Sequence, residues 1–287
     1  MTARLPLPEK MRGIRAGIHE SRRQEDAERE YALIRDAFRR LLFNWENSAG
    51  RTDIIEDILV LRASFLIDRA LIGFRMDFDT ALELLRNHNE FISERERSQR
   101  DILVAAVDNL IDFAAAEEFT MLEELPQTPD VQDMNEYEEV CERYNLTYAG
   151  KENDQVLFAA QMAAWWLTVD NGTVLMYMTQ GDERVRPWHL SLEGISYPKS
   201  EFPPELIPPV EWGCRCYLVA DGFASVHGGI TTENFRERVN PVFRESLATG
   251  GRIFSPAHRY FQKMLPDYMA DMVQRLKSKF AYEKDNA

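Results

Sequence analysis

Two cysteines one residue apart, Cys214 and Cys216, together with the upstream His189, are the residues of this chain best suited to metal chemistry. Zinc takes four nitrogen and sulfur ligands in a tetrahedron. The Cys-x-Cys pair supplies two, His189 a third, and Asp182 or His227 is a candidate fourth. A metal would explain how the proline-rich loop between His189 and Cys214 is held without regular structure. The spacing is not a standard zinc signature, so a second reading stands beside it. In that reading His189 hydrogen-bonds a backbone carbonyl and the two cysteines flank a tight strand start. A disulfide across Cys-x-Cys would close a strained ring, and three cysteines do not make a disulfide scaffold.

The whole stretch from Asp182 to Cys216, DERVRPWHLSLEGISYPKSEFPPELIPPVEWGCRC, reads as a small, cross-braced module. Arg184 and Arg186 alternate, which in an extended segment puts both on one face. A guanidinium fork suits a carboxylate or a phosphate. Asp182 and Glu183 are adjacent partners, so the choice lies between a salt-bridge network that pins the loop and an anion site. Trp188 and Trp212 bracket the loop and can form its core; Trp165 and Trp166 read as core or interface. Cys141 reads as a small apolar filler on a helix face. There is no Gly-rich phosphate loop, no nucleophile elbow and no HExxH. His258, in SPAHRYF, reads as structural.

Composition narrows the function classes. The chain has 287 residues and a net charge of −14, which argues against a dedicated nucleic-acid binder. Residues 121–150 hold eight acids and one base, whereas residues 231–287 hold ten bases and seven acids. Contact with phosphates is therefore expected, if anywhere, at the C-terminal helix or the basic N-terminal arm. No apolar run is long enough to span a bilayer, and the N-terminus lacks the apolar stretch of a signal peptide.

Helical periodicity dominates the first part of the chain. After an arm over 1–19, Tyr31, Ile34, Phe38, Leu41, Leu42 and Trp45 mark a helix that Asn47–Gly50 should break. Asp53, with Glu56, is expected to cap a second helix carrying Ile54, Ile58, Leu61 and Phe65. A short helix over Asp77–Asn87 and a long one over Glu90–Glu124 complete a helical domain, 20–125. An acidic linker follows over 126–154. The remainder, 155–287, begins with a helix over Gln155–Trp166. It then has strands at Thr173–Met178 and Cys216–Ala220, a short helix near Glu233, and a last helix over Asp267–Phe280. The fold class is α+β.

The pattern Thr179, Asp182, Arg184, Val185, Arg186, Pro187, His189, Leu192, Gly194, Ile195, then Pro208-Pro209 and Trp212-Gly-Cys-Arg215-Cys216, resembles the phage Mu F-like minor head proteins, the phage head morphogenesis family. The later segment NPVFRESLATGGRIFSPAHRYF resembles the family's downstream turn more loosely. The resemblance implies a structural, non-enzymatic protein of the virion, made in the host cytoplasm and placed inside the capsid near the portal. It would assist assembly or DNA packaging and delivery. The implied partners are the portal protein and the scaffold or major capsid protein, with non-specific contact to packaged DNA and no membrane. Asp182, Arg184, Arg186, His189, Gly194, Trp212 and Arg215 are then motif residues of the scaffold. In some relatives a cysteine stands at the position of His189, a swap between zinc-ligand types that supports zinc at His189, Cys214 and Cys216. The rival reading is a zinc-dependent hydrolase or nuclease, which needs an open coordination position and a general base beside the same residues.

Overall fold

A computed structural model describes residues 9–86, 93–220 and 235–280, with side chains from residue 25 onward. The fold is α+β: a helical body carries a small antiparallel sheet and ends in a C-terminal helix. Helix α1 (Glu9–Phe43) turns into α2 (Ser48–Phe74). The expected break at Asn47 is instead the start of α2. Asn47 is extended and its side chain accepts the Gly50 N–H at 3.2 Å, satisfying a first-turn donor, so Asp53 lies inside the helix. Asp77 does the same for α3 (Phe78–Arg86), accepting from Thr80 at 2.9 Å, and Ser93 for α4 (Glu94–Leu122).

The stretch expected as an acidic linker holds α5 (Met134–Glu142), a π-helical turn (Arg143–Tyr148) and the start of α6 (Ala149–Trp166). Tyr137, Cys141 and Tyr144 follow one another at helical spacing and are buried, while most of the acids point outward. The density of charge hides this stripe in the sequence. Arg39 of α1 clasps Glu138 through both arms of its guanidinium, the Nη2 bond being 2.8 Å long. Helices α2 and α6 cross closely at Gly73, where a β-carbon would sit 2.5 Å from that of Ala160.

Phe38, Leu59, Leu66, Leu110, Phe113, Val156 and Ala160 form the centre of the core. One charged group lies among them. Arg62, 1% exposed, donates to Glu117 at 2.6 Å, Glu152 at 2.7 Å and Asn153 at 2.9 Å. Its position between Ile58 and Leu66 on the apolar stripe was the available sequence signal. An arginine there must bring its partners inside with it, because an unpaired buried charge costs several kcal/mol, on the order of 3–5.

Among the described residues three strands make the sheet, in the order β2-β1-β3: β1 (Val174–Met178), β2 (Ser196–Pro198) and β3 (Tyr217–Ala220). Both pairings are antiparallel, with Leu175 opposite Tyr197 and Tyr177 opposite Leu218. β2 was not expected, since three residues ending in proline carry no alternation to read. Helix α7 (Pro187–Leu190) and the proline-rich loop lie between β1 and β3 in sequence. After α8 (Phe235–Arg238) the chain runs through short 3-10 turns to α9 (Asp267–Lys279). Glu233, near which a short helix was expected, lies outside the described residues, and α8 starts at Phe235. Asn109 of α4 binds this returning segment. Its Oδ1 accepts from the backbone of Ile253 and Phe254, and its Nδ2 donates to the Phe254 carbonyl, all at 2.9 Å.

Candidate metal centre

Alternation in the approach to β3 sets the orientation of the two cysteines. Cys214, Cys216 and Leu218 are buried, whereas Arg215 and Tyr217 are half-buried and turned the other way, as a period of two requires. Gly213, at φ 68°, makes the turn that starts this alternation, and Gly194, at φ 88°, makes the one that returns the chain from α7 into β2. The Gly194 N–H donates to the Tyr177 carbonyl at 2.9 Å, which fixes α7 against β1.

Helix α7 carries His189 to the cysteines. Its Nδ1 lies 3.3 Å from the Cys216 sulfur and 4.0 Å from the Cys214 sulfur. The three donor atoms all fall within 4.8 Å of one another, and all three residues are buried. In a zinc tetrahedron, bond lengths of about 2.0 and 2.3 Å put nitrogen and sulfur roughly 3.5 Å apart, so the donors stand near the separations such a site requires. The other ring nitrogen, Nε2, lies 3.2 Å from Glu211 Oε2. A carboxylate only accepts, so Glu211 suits the tautomer with the proton on Nε2, the one that would free Nδ1 to hold a metal. A histidine ligand held by a carboxylate is the usual second-layer arrangement of metal sites. The sulfur pair is coupled. A hydrogen bond from Cys216, with the contacts to His189 and the backbone, holds Cys214 well below the usual thiol range, while the same pairing and burial push Cys216 up.

Glu211 also ties the loop together. The same Oε2 accepts from Trp188 Nε1 at 3.1 Å and lies 3.2 Å from Arg186 Nε. Arg186 Nη2 reaches the Trp212 carbonyl at 2.6 Å. Asp182 pairs with Arg215 through two bonds of 2.7 Å, which lowers the Asp182 carboxyl below its ordinary range. The acids and arginines thus brace the loop, but in other pairs than the sequence indicated. Residues 182–185 form a turn rather than an extended segment; Arg184 is exposed, and Asp182 reaches Arg215 in the approach to β3. Glu211, which had no signal beyond its place in a proline-rich loop, is the central acceptor. Asp182 is occupied by Arg215, away from the metal-type donors, and His227 lies outside the described residues.

Beside these residues the protein leaves a hollow of only about 10 Å³, lined by Arg184, Arg186, His189, Gly213, Arg215 and Cys216. That is space for one water at most. A larger cleft, about 520 Å³, opens on the far side of Trp212, between Tyr148, Lys151, Glu152, His258, Arg259 and Tyr260. His258, Glu152 and Arg259 of its lining are engaged. His258 Nδ1 accepts the Tyr260 N–H at 3.3 Å, and burial pushes its pKa down to about 4. Glu152 accepts from Tyr260 at 3.1 Å and from Arg62, and Arg259 lies over the rings of Tyr148 and Tyr260. Trp212 joins this aromatic cluster, stacking on Phe254 at 5.7 Å.

Among the described residues no helix is long and apolar enough to cross a membrane. An uncharacterized protein of Methanocaldococcus jannaschii is 38% identical over 86 residues, which is 30% of this chain and 11% of that protein. The similarity thus spans about a tenth of the relative's length. No solved structure matches the chain. Residues 126–219 match the model of the family described as Phage Mu protein F like protein, a span that takes in α5, α6, the loop and the metal-type cluster. The resemblance read from Thr179 to Cys216 is therefore borne out, and the chain carries a phage Mu F-like region.

Proposed function

We propose that this protein is a structural, non-enzymatic phage head protein that sits inside the capsid near the portal vertex. There it assists assembly or the packaging and delivery of DNA. The family match over 126–219 supports a head-morphogenesis role. The observation that carries the structural reading is the closure of the module: His189, Cys214 and Cys216 are 2%, 4% and 2% exposed, with a hollow of about 10 Å³ beside them. A hydrolytic zinc site needs room for substrate at its open position, and a hollow of about 10 Å³ offers space for one water at most. In this reading zinc is a brace for the loop, held by His189, Cys214 and Cys216.

The partners are the portal protein and, during assembly, the scaffold or major capsid protein. DNA contact is secondary. Two cations of α9 are turned to acids of the body, Arg275 to Glu56 at 2.6 Å and Lys277 to Asp112 at 2.7 Å. Co-expression with the cognate portal protein tests the assignment. A complex stable through gel filtration is expected; failure to associate at both low and high salt refutes portal docking. Purified protein should carry about one zinc per chain, and Cys214→Ser should loosen 174–220 to protease while the helices stay protected. A metal-free, fully folded wild type would end the brace.

A further inference from the structure

The three metal-type donors leave one corner of a tetrahedron, and a fourth polar residue lies on the same buried face of the sheet. Tyr177 is on β1 directly opposite Leu218 of β3, on the buried face that Cys216 and Cys214 also present. Its side chain is 0% exposed. Its hydroxyl is near enough to interact with both thiols, yet it makes no hydrogen bond of acceptable geometry with any group. A buried hydroxyl without a partner is costly, and few native structures retain one without a reason. Here the orphan lies beside two sulfurs whose third neighbour is His189 Nδ1.

We propose that Tyr177 supplies the fourth donor of the metal site. Its phenol oxygen would close a set of two thiolates, one imidazole and one phenolate around a single zinc ion. This rests on the brace reading above and extends it, since a fourth protein donor leaves no position for a water and makes the site structural. On binding, the protons still held by the cysteines and the proton of the phenol leave to solvent, and the ion takes their place between the donors. The phenol oxygen then has the partner it lacks in the metal-free arrangement. A strand residue becomes a ligand, so the metal would tie β1 to the approach of β3 and to α7 at one point.

Tyr177→Phe removes the hydroxyl and nothing else, and gives opposite signs in the two states. Without metal, the variant should melt at the same temperature as the wild type or higher, because a buried orphan is gone. With metal, it should melt lower and bind zinc at least about 10–100-fold more weakly in competition with a chelator, since losing even an outer partner of a ligand costs that much. Cobalt(II) provides the second reading. The wild-type spectrum should be that of a four-coordinate site unmoved by azide, and the variant's should change and respond to azide at the vacated position. Zinc binding by the wild type tests the brace by itself. If the wild type binds and the variant matches it in affinity and cobalt spectrum, the tyrosine is not a ligand. A variant that fails to fold without metal would also overturn the proposal, because the hydroxyl would then serve the apoprotein.

Discussion

Replacing Glu118 by glutamine should make this protein more stable at alkaline pH and flatten its pH dependence. Glu118 is 0% exposed on α4, beside Glu117, and Arg62 is the cation shared among Glu117, Glu118 and Glu152. Three buried carboxylates cannot all ionise around one guanidinium. Desolvation, then repulsion from Glu117, pushes the Glu118 carboxyl up from 4.5 to about 8. Burial and the same neighbour push Glu152 up as well. Glu118 Oε1 and the Oδ1 of neighbouring Asn145 are both acceptors without a donor, so a proton on Glu118 also improves the hydrogen bonding there. Because the folded pKa is the raised one, the group's stabilisation is full below about pH 4.5 and is lost as pH rises to about 8. Each pH unit in that window removes about 1.4 kcal/mol, a ceiling of about 5 kcal/mol for the wild type. Glu118→Gln keeps the shape and cannot ionise. Urea unfolding at pH 5, 7 and 9 should show near-equal midpoints at the acid end and a widening advantage for the variant above it. Parallel pH profiles for the two proteins would refute the reasoning, since Glu118 would then be ionised in the folded state at ordinary cost.

Asn109→Ala strands two backbone N–H groups and one carbonyl at Ile253 and Phe254. At about 1–3 kcal/mol for each buried group left unpaired, the unfolding free energy should fall by at least about 3 kcal/mol, measured by denaturant titration. Gly73→Ala drives a β-carbon to 2.5 Å from that of Ala160 and 2.7 Å from the Leu157 carbonyl. Helices α2 and α6 must separate, lowering stability by about 1–3 kcal/mol; a melting temperature at or above wild type would show that the crossing yields freely.

Much of the helical body was legible because burial writes itself as a period. Ile34, Phe38 and Leu41 of α1 and Leu103, Val107 and Leu110 of α4 are buried, as their spacing required. The reading failed where a residue served two roles or the signal lay elsewhere in the chain. Asn47 looked like a terminator and is a cap. Leu61 and Phe65 of α2 are only partly buried, and Arg62 beside them is enclosed, because three distant acceptors meet it. At the metal-type cluster, Cys214, Cys216 and His189 were visible by residue type and come together as expected. Glu211 and Tyr177 were not. An acid in a proline-rich loop and an aromatic in a strand look ordinary until the sheet pairs β1 with β3.

The grip of Asn109 on Ile253 and Phe254 joins positions 144 and 145 apart in the chain. Helix α9 then lays Met269, Met272, Val273 and Leu276 into the same body. A ribosome must therefore have passed residues 253–276 before α4 finds its full cover. Until that moment Phe113, which ends up stacked on Phe254 at 4.1 Å, has no ring to meet. Contacts this distant close slowly, and the exposed intermediate is sticky while it waits. The chain is thus open to aggregation in the interval between the emergence of α4 and that of the segment which covers it.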